Sequence, residues 1–177
     1  MSNRNRNLLL FNKFIFKELI PNLAYTAKWL VLALIIGSLV GSASALFLTS
    51  LYWVTQYRET HLWIILFLPI GGFFIGWIYH HFGTSVVKGN NQLLEEYYNP
   101  LKIIPLKMAP LVLLGTLLTH LFGGSAGREG TAIQMGGAIA DQFTKWFNLK
   151  SDDRKMVITV GVAAGFASVF GTPLAGA

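Results

Sequence analysis

The sequence predicts an all-helical membrane protein with broken, re-entrant helices. Three observations lead there. Hydrophobic residues make up 53% of the 177 residues and charged residues only 12%, about half the charged share of an ordinary soluble domain. Long runs carry no charge at all. Between two apolar stretches, the glycine-rich corner Gly123–Gly137 places Arg128 and Glu129 side by side. Ionised groups at membrane depth are costly, so they face a cavity or a partner and mark function. The chain holds no Cys, which excludes disulfides and thiolate metal sites. Its net charge of +6 is concentrated in polar segments between apolar ones. That is the pattern of cytoplasmic loops rather than of a nucleic-acid surface, so no nucleic-acid partner is expected.

Residues 1–28 hold Arg4, Arg6, Lys13, Lys17 and Lys28 among Leu and Phe. They read as a cytoplasmic amphipathic segment on the anionic inner leaflet. The basic region is too long, and a small-residue cleavage site is missing, for a signal peptide. Residues 29–177 form the transmembrane domain. Trp29–Tyr57 is uncharged and long enough to cross the roughly 30 Å hydrocarbon core, with Tyr52, Trp53 and Tyr57 as an outer aromatic belt. Arg58–Thr60 makes a short outer turn, and His61–Phe82 returns as the second arm of a hairpin. Gly37, Gly41, Gly72 and Gly76 recur at four-residue spacing and are read first as helix-packing positions.

The polar stretch Gly83–Lys107, with Lys88, Lys102 and Lys107 against Glu95 and Glu96, lies inside. Met108–Phe122 carries the chain out again and ends at the glycine corner. Ala132–Phe147 has a helical pattern but is short for a crossing, and the basic loop Lys145–Lys155 returns it to the cytoplasm. Val157–Ala177 is apolar and interrupted by Gly161, Gly165 and Gly171-Thr172-Pro173. Short and interrupted helices mark transporters that bind ions near the midplane. Irregular backbone is tolerated there only where it is buried or lines a cavity.

A glycine run entering a helix presents free N–H groups, to which the helix dipole adds positive charge. Together they bind anions without any side chain. Gly124–Thr131 approaches a P-loop in composition, but no Lys precedes Thr131 and no strand precedes the loop, so a nucleotide site is excluded. Val87-Lys88-Gly89-Asn90-Asn91 opens a second helix in the same manner, with simple Asn capping as the plainer alternative. Glu129 stands out because a carboxylate at a helix start can occupy the anion site, take up a proton and swing away. Its plainer role is to cap the helix or to pair with Arg128, although adjacent helical residues rarely face each other. His61, His80, His81 and His120 form no H-x-x-x-H pair, so a metalloenzyme gains no support and neither metal nor cofactor is expected.

Gly127-Arg128-Glu129-Gly130, followed by Thr131 to Gly137, resembles the G-R-E-G-P signature of the CLC family of chloride channels and anion/proton antiporters. Ala163 to Gly176 resembles the family's later A-A-G-x-A-x-x-F-x-x-P-L-A-G stretch. The resemblance covers the chain from Trp29 onward and reaches most of the first of two inverted repeats. It implies a homodimeric, multi-pass cell-membrane protein that is not an enzyme and carries a halide. Glu129 is then the gating and proton-transfer glutamate, with Lys88, Gly89, Asn90, Asn91, Gly127, Arg128, Gly130 and Thr131 around the anion. The family's G-S-G-x-P motif falls on Val87–Asn91, with Lys88 at the Ser and Asn91 at the Pro, while Thr131 replaces the Pro after G-R-E-G. These departures resemble the bacterial fluoride/proton antiporter branch, which makes fluoride and protons the expected cargo and a chloride channel or chloride/proton antiporter the alternative. With the second repeat outside it, the chain is expected to be a fragment or a truncated product. A membrane protein without transport of its own is then the alternative of another class.

Overall fold

The computed structural model describes the backbone of residues 3–176 and the side chains of residues 23–174. It comprises α1 (Asn3–Thr60), a 3-10 helix (Leu62–Phe67), α2 (Leu68–Phe82), α3 (Asn90–Tyr98), α4 (Met108–Leu121), α5 (Arg128–Trp146), α6 (Ser151–Phe170) and α7 (Pro173–Gly176), with no strand among the described residues. Leu23–Thr60 and Leu62–Phe82 are long and apolar enough to cross a membrane, whereas Met108–Leu121 is apolar but shorter. The chain divides into two units at Ile35 and Ile36. In the first, the rings of Tyr25 and Trp29 meet edge-on at 6.1 Å, with Lys28 Nζ 5.7 Å from the Trp29 ring centroid. α1 runs unbroken through residue 28. The side chains of Arg4, Arg6, Lys13 and Lys17, on which the amphipathic reading rests, lie outside the described residues.

The second unit contains everything else. α1 continues through Arg58, Glu59 and Thr60, so the expected three-residue outer turn is the last helical turn instead. The Thr60 hydroxyl donates back to Tyr57 O at 2.8 Å. The chain reverses at His61, whose N–H reaches Arg58 O at 2.9 Å. Pro69 then sits in the first turn of α2, where its missing donor costs nothing. Phe47, Val86, Ile104, Met108 and Ala138 form the heart of the core.

α5 and α6 pack most intimately, and glycine makes that possible. A Cβ on Gly136 would collide with Gly161 O, one on Gly161 with Ala140 Cβ, and one on Gly165 with Ala132 O. Gly161 and Gly165 therefore do not interrupt α6, as their spacing suggested, but admit α5. The break comes at Gly171, left-handed at φ 64°, before Pro173 opens α7. Conversely, a Cβ on Gly37, Gly41, Gly72 or Gly76 would meet nothing within 4 Å, so the pairs read as packing positions pack against nothing within the described residues. The short segment was also misplaced. α5 begins at Arg128 rather than Ala132 and has 19 residues, about 28 Å of helix. α4, with 14 residues, reaches only about 21 Å and is the shorter of the two.

Candidate anion site

The two suspected helix starts come together. α5 opens directly from extended Gly127 (ψ 124°) and α3 from Gly89 (φ 55°, ψ −127°), and neither has a side-chain cap. A Cβ on Gly130 would stand 3.4 Å from Asn90 Nδ2, and one on Gly89 would stand 3.4 Å from Gln134 Nε2. Asn90 and Gln134 thus lie where the start of α3 approaches the first two turns of α5. Each helix start carries about half a positive charge, and the leading N–H groups of an uncapped helix have no partner within it. In α5 these belong to Arg128, Glu129 and Gly130. In α3 the donors of Asn91 and Gln92 already turn back onto Lys88 O (3.1 Å) and Gly89 O (3.0 Å). What α3 contributes is chiefly its dipole and the Asn90 side-chain amide.

The individual residues fall into separate places. Gly127, Gly130 and Thr131 line a cavity of about 440 Å³ with Tyr79, Thr116 and Gln134. Thr131 is buried. Its hydroxyl donates to Gly127 O at 3.1 Å, which leaves the Thr116 hydroxyl to donate to it across 2.7 Å. A proline at this position would leave Thr116 without that partner. Arg128 lines a different cavity, of about 240 Å³, with Tyr52, Thr55 and His120. Glu129 is exposed in the first turn of α5, with Oε2 3.6 Å from the point a Gly127 Cβ would occupy. The carboxylate thus folds back over its own helix start. No Arg128–Glu129 ion pair exists among the described residues. Asn91 is exposed. Lys88 is exposed too, its ammonium 2.6 Å from Glu95 Oε2, so that charge is engaged along its own segment rather than at the corner.

Sequence reasoning passed over Tyr79, Thr116 and Gln134. Gln134 lies three residues after Thr131 and four after Gly130, a helical spacing that places it on the same face. It also missed a buried cluster farther along α5. Asp141 is fully buried and Arg154 is 5% exposed. Arg154 Nε and Nη2 fork onto Asp141 Oδ1 and Oδ2 at 2.8 and 2.7 Å, while Nη1 reaches Glu96 Oε2 at 3.2 Å. A carboxylate within the mostly apolar stretch Ala132–Phe147 was the available signal.

Comparison with known proteins agrees with this geometry. Residues 71–177 match the family model described as voltage gated chloride channel. A chloride/fluoride channel protein of Pseudomonas syringae pv. tomato is 56% identical over 94% of this chain, which spans 37% of that protein. The H(+)/Cl(-) exchange transporter ClcA of Vibrio cholerae is 28% identical over 93% of the chain, again covering 37% of the relative. A crystal structure of a CLC-type fluoride/proton antiporter superposes with a TM-score of 0.80 at 40% identity, covering 85% of this chain and 38% of that one.

Proposed function

Because the chain belongs to the voltage gated chloride channel family, we propose that it forms part of a membrane pathway exchanging fluoride for protons. The convergence of two uncapped helix starts, one of them carrying Glu129, supports this reading most strongly. The dipoles and the α5 amides hold the anion, and Asn90 supplies a neutral donor. Glu129 competes for the same place while ionised and leaves when protonated, so one group couples the two ions. Fluoride is small and strongly hydrated, and amide donors from Asn90, Gln134 and the backbone replace its water. The fluoride assignment rests on Asn90 and Asn91, on Thr131 in place of Pro, and on the names and titles of the relatives. The pathway works in a homodimer with the N-terminus in the cytoplasm. Residues 1–28 form the inner-leaflet segment and 29–177 the membrane domain.

Expression of the complete gene product in a fluoride-sensitive bacterium tests this, with fluoride and chloride release measured from reconstituted liposomes. Rescue of growth and release of fluoride well ahead of chloride is the expected result. Equal release of both anions points to the chloride reading. No release of either leaves a membrane protein without transport of its own.

A further inference from the structure

The cluster that joins Glu96, Arg154 and Asp141 lies away from the helix starts, yet its geometry bears on them. α3 meets its neighbours through residues three apart. Asn90 lies by Gly130, the Leu93 side chain fills the space over Gly137, and Glu96 meets Arg154. Residues at this spacing share one side of a helix. The far end is held with little freedom. Glu96 Oε2 accepts from Leu101 N at 3.0 Å, Lys102 N at 2.9 Å and Arg154 Nη1 at 3.2 Å. Arg154 has no loose nitrogen, since Nε and Nη2 grip Asp141 and Nη2 also donates to Lys102 O at 2.6 Å. Asp141 is fixed in turn by Ile104 N at 2.7 Å and the Thr144 hydroxyl at 2.9 Å.

We infer that Glu96 and Arg154 are positioning residues that set where the start of α3 stands against the start of α5. α3 is a helix of 9 residues, about 13 Å long, with Leu93 seated near its middle. A shift of its Glu96 end swings Asn90 the opposite way by a similar distance. Misplacement of a binding group by about 1 Å is enough to change a site's performance by one to two orders of magnitude. Asp141, Thr144 and Arg154 already tie α5 to α6, and Glu96 extends that grip to the helix that carries Asn90. The inference rests on the proposed anion site for its meaning, but the placement of α3 can be read without transport.

The chain contains no Cys, so Asn90→Cys in the complete gene product reports the α3 start through its rate of modification by a small thiol reagent in native membranes. Adding Glu96→Ala should change that rate. Thr144→Val removes one Asp141 donor without touching α3, and should leave the rate unchanged while lowering thermal stability. On the natural Asn90 background, Glu96→Ala should raise the half-saturating fluoride concentration about tenfold with maximal flux within about twofold. Glu96→Gln keeps an acceptor for both amides but loses the ion pair, so its shift should be smaller, about threefold. It carries the test if the Ala variant fails to fold. Unchanged reactivity of the introduced thiol in the folded Glu96 variant overturns the inference, as does an equal change from Thr144→Val. A protein that moves no fluoride with its natural sequence, but whose introduced thiol responds to the Glu96 substitution, defeats the transport reading and leaves the positioning role standing.

Discussion

Asp141→Asn is the substitution whose cost the structure specifies best. The carboxylate is fully buried and accepts from Ile104 N, the Thr144 hydroxyl, Arg154 Nε and Arg154 Nη2 at 2.7 to 2.9 Å. Asn has nearly the same shape but offers one oxygen. Whichever way the amide is flipped, its NH2 points at two donors, either Ile104 N with Arg154 Nη2 or Thr144 with Arg154 Nε. The guanidinium also loses its nearest counter-charge and keeps only Glu96, 13% exposed at its side chain. Removing one partner of a buried pair costs about 3–5 kcal/mol. Thermal unfolding of the purified protein, followed as the fraction that stays monodisperse after heating, should fall by on the order of 10 °C. The double variant Asp141→Leu/Arg154→Met removes both charges and should recover most of the loss, because well-packed apolar replacements of buried pairs are often neutral. A single variant within about 1 kcal/mol of wild type, or a double variant worse than the single, would refute this account of the cluster.

Three further outcomes are expected. Gly161→Val should lower thermal stability by about 3 kcal/mol or more, because the new side chain meets Ala140 and the Gly136 backbone, which cannot yield as a flexible side chain would; wild-type stability would mean α5 and α6 do not touch there. Gly89→Ala should cost about 1–3 kcal/mol, since its φ of 55° and ψ of −127° suit glycine; in fluoride-flux titrations it should also weaken anion binding more than Gly37→Ala, which faces open space. Single cysteines at the exposed Thr60 and Lys150 should react with an impermeant thiol reagent on intact cells at Thr60 alone, and labelling at Lys150 instead would invert the proposed orientation.

The corner Gly123–Gly137 was legible because its message is local. Glycines, a carboxylate and a helix start adjacent in sequence remain adjacent in space. The apolar runs likewise located α4 to within one residue and the far ends of α1 and α2, but α1 begins at Asn3 rather than Trp29 and α6 spans Ser151–Phe170 rather than Val157–Ala177. The helix expected to open at Val87–Asn91 is α3. Helix starts were harder. Arg128 to Gly130 look polar and loop-like, yet they already belong to α5, since a first turn needs no apolar face. Spacing could not tell glycines that pack from glycines that do not. Gly37 and Gly41 repeat at the same interval as Gly161 and Gly165, and only the latter meet a neighbouring backbone. The Asp141–Arg154–Glu96 cluster was hidden by separation along the chain, 13 and 58 residues from Arg154. Arg154 also sits beside Asp152 and Asp153, where it reads as one more charge of a solvated loop.

The coupling role of Glu129 is tested most directly by proton uptake driven by a fluoride gradient, in vesicles reconstituted with the complete gene product or its Glu129→Gln variant. Gln keeps the size of Glu and some capacity to cap α5, but it cannot take up and release a proton. Wild-type vesicles should acidify or alkalise in step with the gradient, and the Gln vesicles should move no protons, whatever becomes of their fluoride flux. Normal proton coupling in the Gln variant would contradict the account and reduce Gly127–Thr131 to a helix start.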